Sequence, residues 1–176
     1  MDIKSYSNSI KNFFSDLNSD KKSSGSSISI SNIASKPKTI LIIFPINQDF
    51  FRVASYAYRN LPYSKSSIEF HYLINDNFID FFSLRKGYIH NMNFDNKLKI
   101  LNKDILLDKL NKIKFDVTID LNINYESNIE DFITNQQSNY KIGFKHKKSD
   151  SLYNVQLDIS KTEIAEKGYQ QILKLI

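Results

Sequence analysis

The sequence predicts an α/β domain, a mostly parallel sheet of five to six strands layered between helices and preceded by an N-terminal amphipathic helix. Three observations lead there. Short apolar runs alternate with helical stripes from Ile40 onward, as repeated strand–helix units require. The first run, Ile40 to Phe44, is apolar at every position, which suits a strand covered on both faces. A chain of 176 residues, 41% of them hydrophobic, has the size and apolar content of one compact domain.

Taken in order, Ile3, Tyr6, Ile10, Phe13, Phe14 and Leu17 recur at spacings of three and four and share one helical face within residues 1–20. That face suits packing on its own domain, a homodimer through this helix, or a membrane surface; Asp2, Asp16 and Asp20 among the lysines disfavour the membrane. Residues 21–38 are rich in serine, lack apolar periodicity and read as a linker. The folded domain is expected over 39–176. After the first strand, Phe51, Ala54, Tyr58 and Leu61 form a helical stripe. Ile68, Phe70, Tyr72 and Ile74 alternate with other residues as a second strand, and Asn75 to Leu84 reads as a short helix. A weak third strand, about Gly87 to Asn91, precedes a helix carrying Ile105, Leu106, Leu110 and Ile113. Phe115 to Leu121 is the fourth strand, Ser127 to Ser138 a helix, and Tyr140 to Phe144 the fifth strand. Tyr153 to Ile159 is a candidate edge strand, and a closing helix carries Ile164, Tyr169, Ile172, Leu173 and Ile176.

Composition excludes several function classes. The charge of +5 and pI near 9.2 come from lysines scattered among aspartates, not from one basic block, so nucleic-acid binding is not indicated. Thirteen Phe and ten Tyr accompany frequent Asn, Ile and Lys, the amino-acid drift of AT-rich coding, so aromatic content carries little functional weight. With no cysteine there is no disulfide, thiolate ligand or Cys nucleophile. The first residues lack the apolar core of a signal peptide, and the chain reads as cytoplasmic. His71, His90 and His146 have no metal-like spacing, and no zinc, nucleophile-elbow or phosphate-loop pattern is present, so neither metal nor cofactor is expected.

In a parallel sheet, binding groups gather beyond the carboxyl ends of the strands, where strand order reverses. That rule selects Pro45, Asn47, Gln48 and Asp49 after the first strand, Asn75 and Asp76 after the second, Asp120, Asn122 and Asn124 after the fourth, and Lys145, His146, Lys147 and Lys148 after the fifth. Asp49 reads either as a first-turn acid favoured by the helix dipole, with Asn47 as N-cap, or as a general base. Asp120 reads either as a loop cap or as a partner of sugar hydroxyls, with Asn122 on the same side. Gly143 suits a close approach to the fifth strand. The run Lys145 to Lys148 reads as a solvated loop or as a phosphate contact.

The segments ILIIFPINQDFFRVASYAYRNL, FDVTIDLN and YKIGF, followed by LYNVQLDI, resemble the N-terminal half of glycosyltransferase family 9, the ADP-heptose:lipopolysaccharide heptosyltransferases. That family has an "IGD" turn after its first strand and later strands of the form "DLVIDLQG" and "RIGF". The resemblance spans about residues 38 to 158. It implies a Rossmann-like domain, Asp49 as catalytic base of an inverting transfer, and Asp120 with Asn122 beside the acceptor sugar. Asn47 and Gln48 replace the family's Ile-Gly, and Asn122-Ile123 replaces its Gln-Gly. Because the family binds its nucleotide in a second, C-terminal domain, the resemblance also implies a separate chain supplying the donor side. Two readings follow: an acceptor-side domain taking a sugar or phosphorylated sugar, contacted by Asn47, Gln48, Asp120, Asn122 and Lys145; or a non-catalytic interaction module in which Asp49 only caps a helix.

Overall fold

Strand β1, Thr39–Ile43, runs through the middle of a six-stranded sheet, and Ile40 to Phe44 have no exposed surface at all. Each such aliphatic side chain contributes about 2 kcal/mol of burial free energy, so this one run anchors the domain. The computed structural model describes residues 37–61, 67–82, 86–160 and 164–176, all within the unit Pro37–Ile176. The expected N-terminal helix and all but the end of the linker lie outside the described residues.

The remaining strands are β2 Glu69–Asn75, β3 Tyr88–Met92, β4 Val117–Asp120, β5 Tyr140–Phe144 and β6 Val155–Leu157. Their order is β3-β2-β1-β4-β5-β6 and every pairing is parallel. The helices are α1 Gln48–Tyr58, α2 Lys103–Asn111, α3 Glu130–Thr134, α4 Ser149–Leu152 and α5 Ala165–Leu173. On one face Ile40, Ile42, Phe44, Tyr72, Ile119 and Phe144 pack with Phe51, Ala54 and Tyr58 of α1 and Tyr169 and Ile172 of α5. On the other, Leu41, Ile43, Leu73 and Met92 pack with Leu106 and Leu110 of α2 and Phe132 and Ile133 of α3. The result is the three-layer Rossmann-like arrangement expected. Among the described residues no helix is long and apolar enough to cross a membrane.

Four local expectations are refined. The short helix expected over Asn75 to Leu84 is present, among the described residues, as Asp76–Phe81. Asn75 accepts the amide of Asn77, and Asp76–Phe81 winds as a tighter 3₁₀ helix with no fully buried residue to hold a wider turn. The expected helix over Ser127 to Ser138 shortens to Glu130–Thr134, because residues 126–129 close a separate turn and Ser138 bonds Thr118 instead. Ile105 is 72% exposed; Leu106 and Leu110, four apart, take the inward stripe of α2 and turn their neighbour outward. The edge strand is only Val155–Leu157, preceded by the short α4, which directs Tyr153 inward.

Candidate functional site

Strand order reverses between β1 and β4, which lie side by side with Ile43 opposite Asp120. The chain leaves β1 toward α1 on one face and β4 toward α3 on the other, the topological switch point at which open parallel sheets generally bind ligands.

The β1 exit is a built turn. Asn47 sits in extended conformation, and its side-chain oxygen accepts the amides of Asp49 at 3.0 Å and Phe50 at 3.2 Å, which starts α1. Asn47, Gln48 and Asp49 are exposed, and the Asp49 carboxylate has no hydrogen bond or ion pair among the described residues. Its neighbour Ile46 donates its amide to the side-chain oxygen of Asn122 at 3.0 Å, which ties the first turn to the exit of β4.

Asp120 and Asn122 are buried. The Oδ1 of Asp120 accepts the backbone amide of Asn122 at 2.9 Å and its side-chain amide at 2.7 Å; Oδ2 accepts the Tyr153 hydroxyl at 2.6 Å. Tyr153 reaches that far because its ring lies against Gly143 of β5, where an added Cβ would fall 2.4 Å from the ring. His146 stands edge-on to Tyr153, with Nε2 3.4 Å from the hydroxyl, and its Nδ1 accepts the amide of Lys148 at 3.1 Å. Burial raises the pKa of Asp120, opposed by the hydrogen bonds from Tyr153 and Asn122. Burial also raises Tyr153, and the charge of Asp120 adds to it. Glu126, half-buried in the loop after β4, is raised by burial and then by Asp120, and its carboxylate makes no hydrogen bond or ion pair among the described residues. Burial lowers His146.

Beside this network, Tyr125 donates to Glu130 and accepts from Lys148 at 2.8 Å, and the Lys148 ammonium also lies 4.5 Å from the centre of the Tyr125 ring. Lys145 pairs with Asp158 at 3.3 Å. The Asp158 carboxyl is pulled down to about 2, first by the hydroxyl and amide of Ser160 and then by Lys145. Among the described residues, no group of three or more His, Asp or Glu is arranged to hold a metal ion.

Asn122 therefore touches the turn that carries Asn47, Gln48 and Asp49, while Asp120 faces inward and Lys145 stands with Asp158 at the β5–β6 side. Sequence reasoning placed His146 on this rim after the fifth strand but missed Tyr153 and Glu126.

No family model matches the sequence, and no curated protein matches it. Solved structures do. A glycosyl transferase family 9 protein from Veillonella parvula superposes with a TM-score of 0.58 at 13% identity, over 78% of this chain and 40% of that one. The E. coli heptosyltransferase WaaC with ADP-2-deoxy-2-fluoro heptose gives 0.57 at 13% identity, over 76% and 46%, and WaaC with ADP gives 0.56 at 13%, over 76% and 45%. The likeness establishes a glycosyltransferase-like Rossmann-type fold, and the chain spans less than half the length of those proteins.

Proposed function

We propose that this chain is the acceptor-side half of an inverting glycosyltransferase of the heptosyltransferase kind, with Asp49 as general base. The observation that carries the reading is the exposed carboxylate of Asp49, without a partner among the described residues and set by the Asn47 cap at the start of α1, after the strand that adjoins the reversal of strand order. In the proposed step, an acceptor hydroxyl gives its proton to Asp49 while its oxygen bonds to the anomeric carbon of a nucleotide sugar. The bond from that carbon to the diphosphate breaks with inversion, and the nucleoside diphosphate departs with the electron pair.

Asn47 and Gln48 flank the base and offer amide groups to the acceptor. Asp120 and Asn122 hold the frame, and Glu126 supplies a carboxylate for further hydroxyls. Lys145, together with Lys147, supplies positive charge for a phosphorylated sugar. A precursor of lipopolysaccharide or another cell-surface glycan is the acceptor class proposed, in the cytoplasm, with the donor nucleotide held by a partner chain.

Calorimetric titration of the full chain with phosphorylated heptose, ADP and ADP-sugars tests this. Binding of the phosphorylated sugar, weakened by Asp49→Asn, supports the acceptor role. Tight binding of an ADP-sugar to the isolated chain would overturn the assignment of the donor to a partner. Silence toward every ligand would leave the interaction-module reading.

A further inference from the structure

We propose that Tyr153 is a positioning residue for the turn between β1 and α1, acting through three directional hydrogen bonds. The direction is fixed at the far end. The Lys148 amide can only donate, so His146 Nδ1 carries a lone pair and the ring's proton sits on Nε2, facing the Tyr153 oxygen at 3.4 Å. The Tyr153 hydroxyl is thereby turned toward Asp120 Oδ2, 2.6 Å away. With Oδ2 held, the carboxylate cannot rotate, and Oδ1 stays where it takes both N–H groups of Asn122. An amide is planar, so fixing the Asn122 nitrogen on Asp120 aims its oxygen at the Ile46 amide. The next three residues are Asn47, Gln48 and Asp49.

A hydroxyl on the segment before β6 therefore sets the height of the turn after β1, two strands away from β5 in the sheet. Gly143 is the opening that makes this possible, since a side chain there would displace the ring. The consequence for catalysis rests on reading Asp49 as the base; the positioning itself does not.

Two-dimensional amide NMR on the full chain separates the two. Tyr153→Phe keeps the ring on Gly143 and removes only the hydroxyl. The expected result is a shift of the Ile46 to Asp49 amides and exchange at Ile46 faster by about tenfold or more, with Ile43 and Leu73 unmoved. Tyr72→Phe, which deletes a buried hydroxyl that has no hydrogen-bond partner among the described residues, serves as the control and leaves Ile46 unchanged. Should Tyr153→Phe fold poorly, His146→Ala tests the next link and shifts Ile46 in the same direction by less. Perturbation that ends at Asn122, with Ile46 untouched in either variant, overturns the proposal. In a transfer assay with a donor-supplying partner, Tyr153→Phe lowers kcat and keeps KM. A parent chain that performs no transfer counts against the glycosyltransferase reading, while the Ile46 amide still decides the positioning role.

Discussion

The side-chain oxygen of Asn122 accepts the backbone amide of Ile46 at 3.0 Å, joining the two chain exits that flank the reversal of strand order. Since Asn122 is itself held by a buried carboxylate, the exposed turn carrying Asp49 is fastened to the interior of the sheet and not left as a free loop. Fixed placement of a reacting group is what a general base needs, because misplacement by an ångström is costly in rate.

Asp49→Asn separates the base from the cap. Asn47 supplies the hydrogen bonds that begin α1, so neutralising Asp49 removes only its attraction to the helix dipole, a loss of about 0.5 kcal/mol. Transfer, assayed with a donor-supplying partner, is expected to fall by about 10²- to 10⁴-fold, the usual worth of a positioned base. Asn47→Ala should show the opposite pattern in denaturant titration, costing about 1 kcal/mol of stability. A variant of Asp49 that unfolds easily but still transfers normally would return that residue to a capping role.

Stability should fall on acidification through His90. His71 Nε2–H donates to Glu69 at 2.7 Å, so His71 Nδ1 accepts from His90 Nε2–H at 3.0 Å, and the buried His90 Nδ1 is left with no partner among the described residues. A proton added there would have no acceptor. Burial first, then Lys109 and His71, push the His90 pKa down to about 4. Below the ordinary histidine value the unfolded chain binds a proton that the folded chain refuses. The contribution is thus fully present above about pH 6.5 and is lost as pH falls toward 4, at about 1.4 kcal/mol per unit. His90→Gln keeps a donor for His71 and should flatten that part of the stability profile relative to the parent. Parallel profiles for the two proteins between pH 6.5 and 4 would contradict this account.

Much of the fold was legible because it rests on local pattern. The unbroken apolar run Ile40 to Phe44 marked a central strand, and Asn47 ahead of Phe51, Ala54 and Tyr58 marked a helix start. Less of the site could be read, because its bonds join residues far apart in sequence. Tyr153 and Asp120 are 33 residues apart, and nothing in LYNVQLDI announces that its tyrosine turns under the sheet rim instead of along an edge. Asp120 at a strand end looked available to a ligand; Tyr153 and Asn122 occupy both of its oxygens. Glu126 lies in a loop without periodicity, where sequence offers no clue to orientation.

Gly143→Ala should be strongly destabilising even though β5 is otherwise regular strand. The new Cβ would meet the Tyr153 ring at 2.4 to 2.6 Å, and the ring is held at its hydroxyl by Asp120. Overpacking of this kind costs about 1 to 3 kcal/mol, and displacing the hydroxyl from a buried carboxylate adds about 2 kcal/mol. Combining Gly143→Ala with Tyr153→Leu should cost less than the sum of the two single changes, because the clash vanishes once the ring is gone. Simple additivity in urea unfolding would mean that the ring moves aside without loss.

The turn after β3 stores strain that one substitution should release. Leu98 adopts φ of 60°, in the left-handed region that disfavours branched side chains, and is 62% exposed, so burial does not compensate. The turn is held by other groups. Asp95 accepts the amides of Lys97 and Lys99 at 2.8 Å each, and the backbone oxygen of Leu98 accepts from Asn128 at 3.0 Å. None of these bonds uses the leucine side chain. Leu98→Asn keeps them all and places a residue that tolerates the left-handed region, so the unfolding free energy should rise by about 0.5 to 1 kcal/mol. Leu98→Gly should gain less, because glycine also widens the freedom of the unfolded chain. If Leu98→Asn lowers stability instead, the leucine side chain must make a contact in solution that outweighs its backbone strain.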